Sequence, residues 1–272
     1  MADARPRIPR SKWRKHNILA RADGIRGHLP AMRPFSPATA AACMQRFGGV
    51  VIKPEWSEGG AHVCRVRRDD GGYRVESAGE RRVAAHFREV EALLPEWTRR
   101  KPCLVQQYIP LAPHRGRPVD IRTIVQRTPA DSFEVTGVFC KVAARRLFVT
   151  NVKQGGRVLP LGRYLRGIGG DGGMRGELYR LSERVGDFLG ARYCNSVYGI
   201  DIGADADRRL WILEVNTEPN LDILRLVDRG MHRRAKALQL HHRPFQARRR
   251  RRPGGNSRPA AQATLTAEGG VQ

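Results

Sequence analysis

Residues Leu210–Leu224 read LWILEVNTEPNLDIL. An apolar run with strand character ends on a carboxylate, Glu214, and a carboxamide, Asn216, two residues apart. Side chains at i and i+2 of a strand leave the same face. Two oxygen-bearing groups therefore project from one side of an otherwise hydrophobic element. Upstream, VYGIDIG (Val197–Gly203) places Asp201 inside a second apolar strand. With Ala206–Arg209 as a four-residue loop, the two segments form a hairpin in which Asp201 lies directly opposite Glu214. Asp201, Glu214 and Asn216 then share a face. Two carboxylates about 4 Å apart repel by about 4 kcal/mol at an effective dielectric of roughly 20. A shared proton would relieve this, as would arginine partners on a solvated hairpin face. A hard divalent cation would also do so, since Mg²⁺ takes one or two carboxylates, further oxygen donors and substrate phosphates. The apolar run that Glu214 ends favours the cation.

The chain has 272 residues, enough to bury one large core or two modest ones. Apolar residues make up 40% and charged residues 28%, which are globular values. The net charge of +24 is unusual and unevenly placed. From Arg229 to Arg258 there are eleven Arg or Lys and no acid, including the run Arg248–Arg252. Such a block reads as a solvated, disordered tail over 232–272, open to non-specific polyanion contact. Residues 1–10 read likewise as a disordered N-terminus. Cys43, Cys64, Cys103, Cys140 and Cys194 form no CxxC pair, which points to reduced thiols and a cytoplasmic location. With no long apolar run, no membrane span is expected.

Along the chain the pattern is α+β with antiparallel pairing. SPATAAACMQRFG has Ser36 to cap a helix, Pro37 for its first turn and Gly48 to end it. VVIKP follows as a buried strand. AHVCRVRRDDGGYRVES alternates around Gly71-Gly72 as a hairpin, and a second helix is expected within ERRVAAHFREVEALLPEW. DIRTIVQRT and FEVTGVFCKVA pair around a turn at Pro129–Ser132. RGELYRLSERVGDFLGA has helical spacing. Gly167, Gly169 and Gly172 match G-x-G-x-x-G, but no strand precedes them, so a flexible loop is expected instead of a dinucleotide motif.

YGIDIG…LWILEVNTEPNLDIL resembles the metal-binding end of the ATP-grasp fold, in which an Asp and then Glu-x-Asn hold Mg-ATP. Further segments match in order: VVIKP, LVQQYIPL, VDIRTIVQ and VTNVKQGG. With SKWRKHNILARADGIRGHLPAMRPFS at the start, the set is most similar to YheC/YheD-type proteins, described as endospore coat-associated, in the glutamate-ligase-like branch. The resemblance covers about residues 11–230. It implies an ATP-grasp domain over 11–231, with an N-terminal subdomain about 36–108 and a C-terminal one about 109–231 that clasp nucleotide. It implies ATP and Mg²⁺ (or Mn²⁺) as cofactors, with Asp201, Glu214 and Asn216 as metal ligands. Lys53 and Gly60 would meet phosphate, and hinge residues Gln107, Tyr108 and Ile109 would read adenine. Asp120 would lie near ribose and Asn151 before a mobile loop, while Arg122 and Lys141 would act on the transferring phosphate. The implied activity joins a small-molecule or peptide carboxylate to an amine through an acyl phosphate. The loop PEWSEGGAHV departs from the family: Gly60 is kept, but Ser57, Glu58 and His62 stand where relatives carry Gly, Ser or Thr, and Gly. The alternative function is therefore a degenerate grasp that binds nucleotide or a polyanion without turnover. The pre-grasp domain of relatives is expected to be missing.

Overall fold

A computed structural model describes residues 4–57 and 62–250, with side chains described as far as His242. Two antiparallel sheets organise it. The first has the order β1-β6-β2-β3-β4-β5. Its strands are β1 (Met32–Pro34), β2 (Gly49–Pro54), β3 (Cys64–Asp69), β4 (Gly72–Ser77), β5 (Glu80–Ala84) and β6 (Cys103–Gln107). The second has the order β11-β10-β7-β8-β9, from β7 (Val119–Arg127), β8 (Phe133–Val142), β9 (Arg157–Leu159), β10 (Val197–Ala204) and β11 (Leu210–Asn216). This is the α+β, two-part architecture expected of an ATP-grasp.

Local chemistry explains the elements. Helix α2 (Pro37–Phe47) starts on Ser36, whose side chain accepts from Thr39 N–H, and carries Pro37 at its first position. It stops at Gly48, whose φ of 69° is a left-handed cap. Its buried face, Ala40, Cys43 and Met44, covers Val50, Ile52, Cys64 and Val66 of the first sheet. The helix expected within ERRVAAHFREVEALLPEW is α3 (Phe87–Leu93); the same segment opens with β5, and α4 (Trp97–Arg100) starts at its end. β5 extends the hairpin as an exposed edge strand, burying only Ala84, before the helical spacing begins.

The second sheet buries Val119, Ile121, Cys140, Val142, Ile200, Ile202 and Val215 in one core. Helix α6 (Gly172–Gly190) covers that core with Leu178, Leu181, Val185 and Leu189. The glycine-rich segment is bounded by two helices. Helix α5 (Leu161–Gly167) ends in it, and α6 begins at Gly172 with Asp171 accepting from Met174 N–H as its cap. The flexible loop expected there shrinks to a four-residue turn, 168–171, because Asp171 offers a capping oxygen that starts α6 inside the glycine run.

Both chain-end expectations need revision. Ile8 is buried in the second core and Pro6 C=O accepts from Cys194 N–H, so packing starts before residue 11. Helix α1 (Lys12–Leu19) and the turn after it, through Leu19, Ala22 and Ile25, join this same core. At the other end α7 runs Arg229–Arg250, across the expected boundary at 231. Its Ala235 is fully buried in a small cluster with Ile124, Phe139, Leu221 and Leu224. Gln126 donates to Ala235 C=O at 3.0 Å, and His242 meets Arg127 C=O at 2.7 Å. The rest of the expected tail, the side chains of Arg248–Arg252 and the phosphate-loop glycine Gly60 lie outside the described residues. No helix among the described residues is long and apolar enough to cross a membrane.

Candidate active site

The hairpin register expected from the opening stretch is present: Asp201 pairs with Glu214 across β10 and β11. It arises differently, however. Ala204 pairs with Leu210, and a bulge between Asp201 and Ile202 restores the pairing. On its other side Asp201 pairs with Arg122 of β7, and Asp120 pairs with Lys141 of β8. Strand alternation does the sorting. Ile121, Cys140, Ile200 and Val215 face the core, so Asp120, Arg122, Lys141, Asp201 and Glu214 share the opposite face.

There Asp201 is a hub. Arg122 donates Nε–H to Oδ1 at 2.6 Å and Nη2–H to Oδ2 at 2.7 Å. Lys141 Nζ lies 2.8 Å from Oδ1, and Asn216 Nδ2 donates to Oδ2 at 3.2 Å. Gly199 makes room for this guanidinium, since a Cβ there would stand 3.1 Å from Arg122 Nη1 and 2.8 Å from Pro219 Cβ. Burial opposes the charged form of Asp201, yet Arg122 and Lys141 outweigh it and hold the carboxyl well below the usual range. The arginine pairing weighed against a cation thus occurs, but in a buried row and not on a solvated face.

Asp120 behaves in the opposite sense. Burial pushes it up to about 6, against Lys141 and with the Asp201 charge adding to the rise. Thr150 donates to its Oδ2. Its Oδ1 lies 3.2 Å from Lys141 Nζ but accepts no aligned hydrogen bond. Asn151 follows Thr150 directly; its C=O accepts from Gln154 and Gly156 N–H. At the hinge, Gln107 N–H donates to Ala31 C=O and Tyr108 N–H to Gly49 C=O. Ile109, next in the hinge, is buried.

Lys53, only 8% exposed, reaches across to the second sheet and donates to Leu213 C=O at 3.4 Å. Two lysines that the motif reading missed converge beside it. Lys12 of α1 donates to Ser57 and lies 3.6 Å from Glu214. Lys15 donates to Val215 C=O. These three lysines, His16 and Glu214 line one small cavity. A signal existed, because Lys12 and Lys15 are i and i+3 and share a helix face.

Burial lowers Lys53 to about 8, Lys12 and Lys15 adding to the effect and Glu214 and Asp201 opposing it. An unfolded lysine titrates near 10.4. Between these values the unfolded chain binds more protons, so the cost of charged Lys53 is full below about pH 8 and fades as pH rises towards 10.4. Relative to Lys53→Met, wild type should therefore gain stability as pH rises from about 7.5 to 10, read as a urea midpoint that rises more steeply. Parallel curves for the two proteins would contradict the buried charge.

The donor chemistry suits Mg²⁺. Glu214 is half-buried, with Lys12 its ion-pair partner at 3.6 Å. Asp201 and the Asn216 amide oxygen would supply the remaining ligands once Arg122 or Lys141 yields one carboxylate edge.

Two sheets meeting over a row of buried acids and cations define an ATP-grasp fold. The family model described as YheC/D like ATP-grasp matches residues 6–244, and the chain belongs to that family. The endospore coat-associated protein YheD of Bacillus subtilis (strain 168) is 22% identical over 232 residues, covering 78% of this chain and 49% of that protein. The chain thus spans about half the length of this curated relative. Among solved structures, the D-alanine-D-alanine ligase of Coxiella burnetii has a TM-score of 0.51 at 11% identity, over 89% of this chain and 59% of that one. Carboxyaminoimidazole ribonucleotide synthase of Aspergillus clavatus, complexed with ATP, has a TM-score of 0.51 at 13% identity, over 78% and 45%. Both likenesses are of fold.

Proposed function

We propose that this protein is an ATP- and Mg²⁺-dependent carboxylate–amine ligase. The observation that carries the reading is the convergence of five cations, Lys12, Lys15, Lys53, Arg122 and Lys141, on the Asp201–Glu214–Asn216 row where the sheets meet. A triphosphate brings several negative charges, and preorganised cations in a buried site offset charge as it moves in transfer. Lys53, with Lys12 and Lys15, would hold the phosphates from the first sheet and α1. Arg122 and Lys141, already in place beside Asp201, would face the transferring group. Asp120 would accept from ribose. Mg²⁺, held by Asp201, Glu214 and Asn216, would draw charge from the phosphate oxygens. An acyl phosphate formed from the carboxylate would then be attacked by the amine, so no side-chain nucleophile is needed. A cytoplasmic location suits such a use of ATP.

Hydroxylamine tests this without knowledge of the amine. Protein supplied with Mg-ATP, a pool of amino and dicarboxylic acids and hydroxylamine should release ADP and form a hydroxamate. Nucleotide binding with no hydroxamate from any acid would favour the second reading, a grasp that binds without turnover. The altered loop at Ser57 and the basic run after Arg229 motivate that alternative.

A further inference from the structure

On the first sheet, β2 pairs Val51 with Arg65 of β3, and β3 pairs Arg65 with Glu76 of β4. Cys64 and Val66 lie in the apolar core behind the sheet. Arg65 and Glu76 therefore emerge on the other face, the face of Lys53, which lies two residues beyond Val51. Both are nearly inaccessible, at 9% and 4% exposure. Arg65 donates Nε–H to Glu76 at 2.8 Å, its Nη2 lies 2.6 Å from the same carboxylate, and Nη1–H donates to Tyr108 Oη at 3.0 Å. Its Cζ also sits over two rings, Tyr108 at 5.1 Å and Phe148 at 4.6 Å from the centroids.

These partners belong to three different parts of the molecule. Glu76 is in the first sheet and Tyr108 is in the hinge after β6. Phe148 is in the loop that leaves the second sheet after Val142 and returns to it in β9, at Arg157. That loop also carries Thr150, which bonds Asp120, and Asn151. A buried ion pair gives little net stability once its desolvation is counted. Apolar residues would serve the sheet as well. They could not, however, stack a charged plane on two rings while spending its in-plane N–H groups on a carboxylate and a phenol, a geometry specific to arginine.

We propose that Arg65 is a positioning residue of the nucleotide site. Through Tyr108 and Phe148 it ties the first sheet, the hinge and residues 143–151 together, and so fixes Thr150 against Asp120. This rests on the nucleotide-binding reading, yet part of its test does not. Hydrogen exchange of amides 143–151 should be measured in the full chain without nucleotide, for wild type, Arg65→Lys, Phe148→Leu and the double variant. Mg-ATP affinity should be measured for the same four. Arg65→Lys keeps the charge for Glu76 but loses the stacked plane. It should speed exchange in this loop while leaving exchange in β7 and β10 unchanged, and weaken Mg-ATP by about tenfold. Phe148→Leu should do the same, and the double variant should be no worse than the worse single one. Unchanged loop exchange in Arg65→Lys, or fully additive effects, would overturn the proposal. A wild type that binds no Mg-ATP would remove the nucleotide reading, and the exchange arm would still decide the tie.

Discussion

Asp201→Asn should be the most damaging conservative change in this chain, lowering stability by about 3–5 kcal/mol, the cost of breaking a buried ion pair by removing one partner. The amide keeps the shape of the side chain but removes the negative charge that Arg122 grips through both carboxylate oxygens and Lys141 meets at 2.8 Å. Both cations would remain buried, with Asp120 as the acid still within reach. Asp120 cannot compensate fully, since burial already lifts it to about 6. Urea denaturation at pH 7 reads the effect. A loss under about 1 kcal/mol, the range of exposed pairs, would mean that solvent screens this row and that the buried hub does not exist.

Glu214→Gln should behave in the opposite way, although the two acids are cross-strand neighbours. Glu214 is half-buried and pairs with Lys12 at 3.6 Å, so its removal should change stability by no more than about 1 kcal/mol. Metal-dependent nucleotide affinity, in contrast, should fall by more than about 100-fold, since even outer partners of metal sites cost about 10- to 100-fold. Calorimetric titration with Mg-ATP and with ATP in chelator separates the metal-dependent part. A destabilised variant with intact Mg-ATP affinity would make Glu214 a structural partner of Lys12 and nothing more.

The contrast between these two acids marks the limit of what the sequence shows. Their register was readable, because both sit in apolar strands joined by a short connection and alternation fixes the shared face. The helix at Pro37–Phe47 was readable to the residue, because Ser36, Pro37 and Gly48 each act locally. Asp201's bond to Arg122 was not, because β7 and β10 are neighbours in the sheet but far apart in the chain. Lys12 and Lys15 were hidden for the same reason: α1 folds over β11, some 200 residues later. The basic C-terminal segment misled through composition. Its eleven cations suggested a solvated tail from 232 on, while Met231, Ala235 and His242 pack as part of helix α7; the expectation beyond the helix lies outside the described residues.

The central claim is that Lys53, buried where the first sheet meets Leu213 of the second, marks a nucleotide site. The melting temperature of wild type and Lys53→Ala, each with and without Mg-ATP, tests it most directly. A ligand bound only by the folded state stabilises it, so wild type should melt higher with Mg-ATP. Lys53→Ala should fold, being relieved of a buried charge, and show almost no shift. Equal shifts in the two proteins would take Lys53 out of the site and contradict the account.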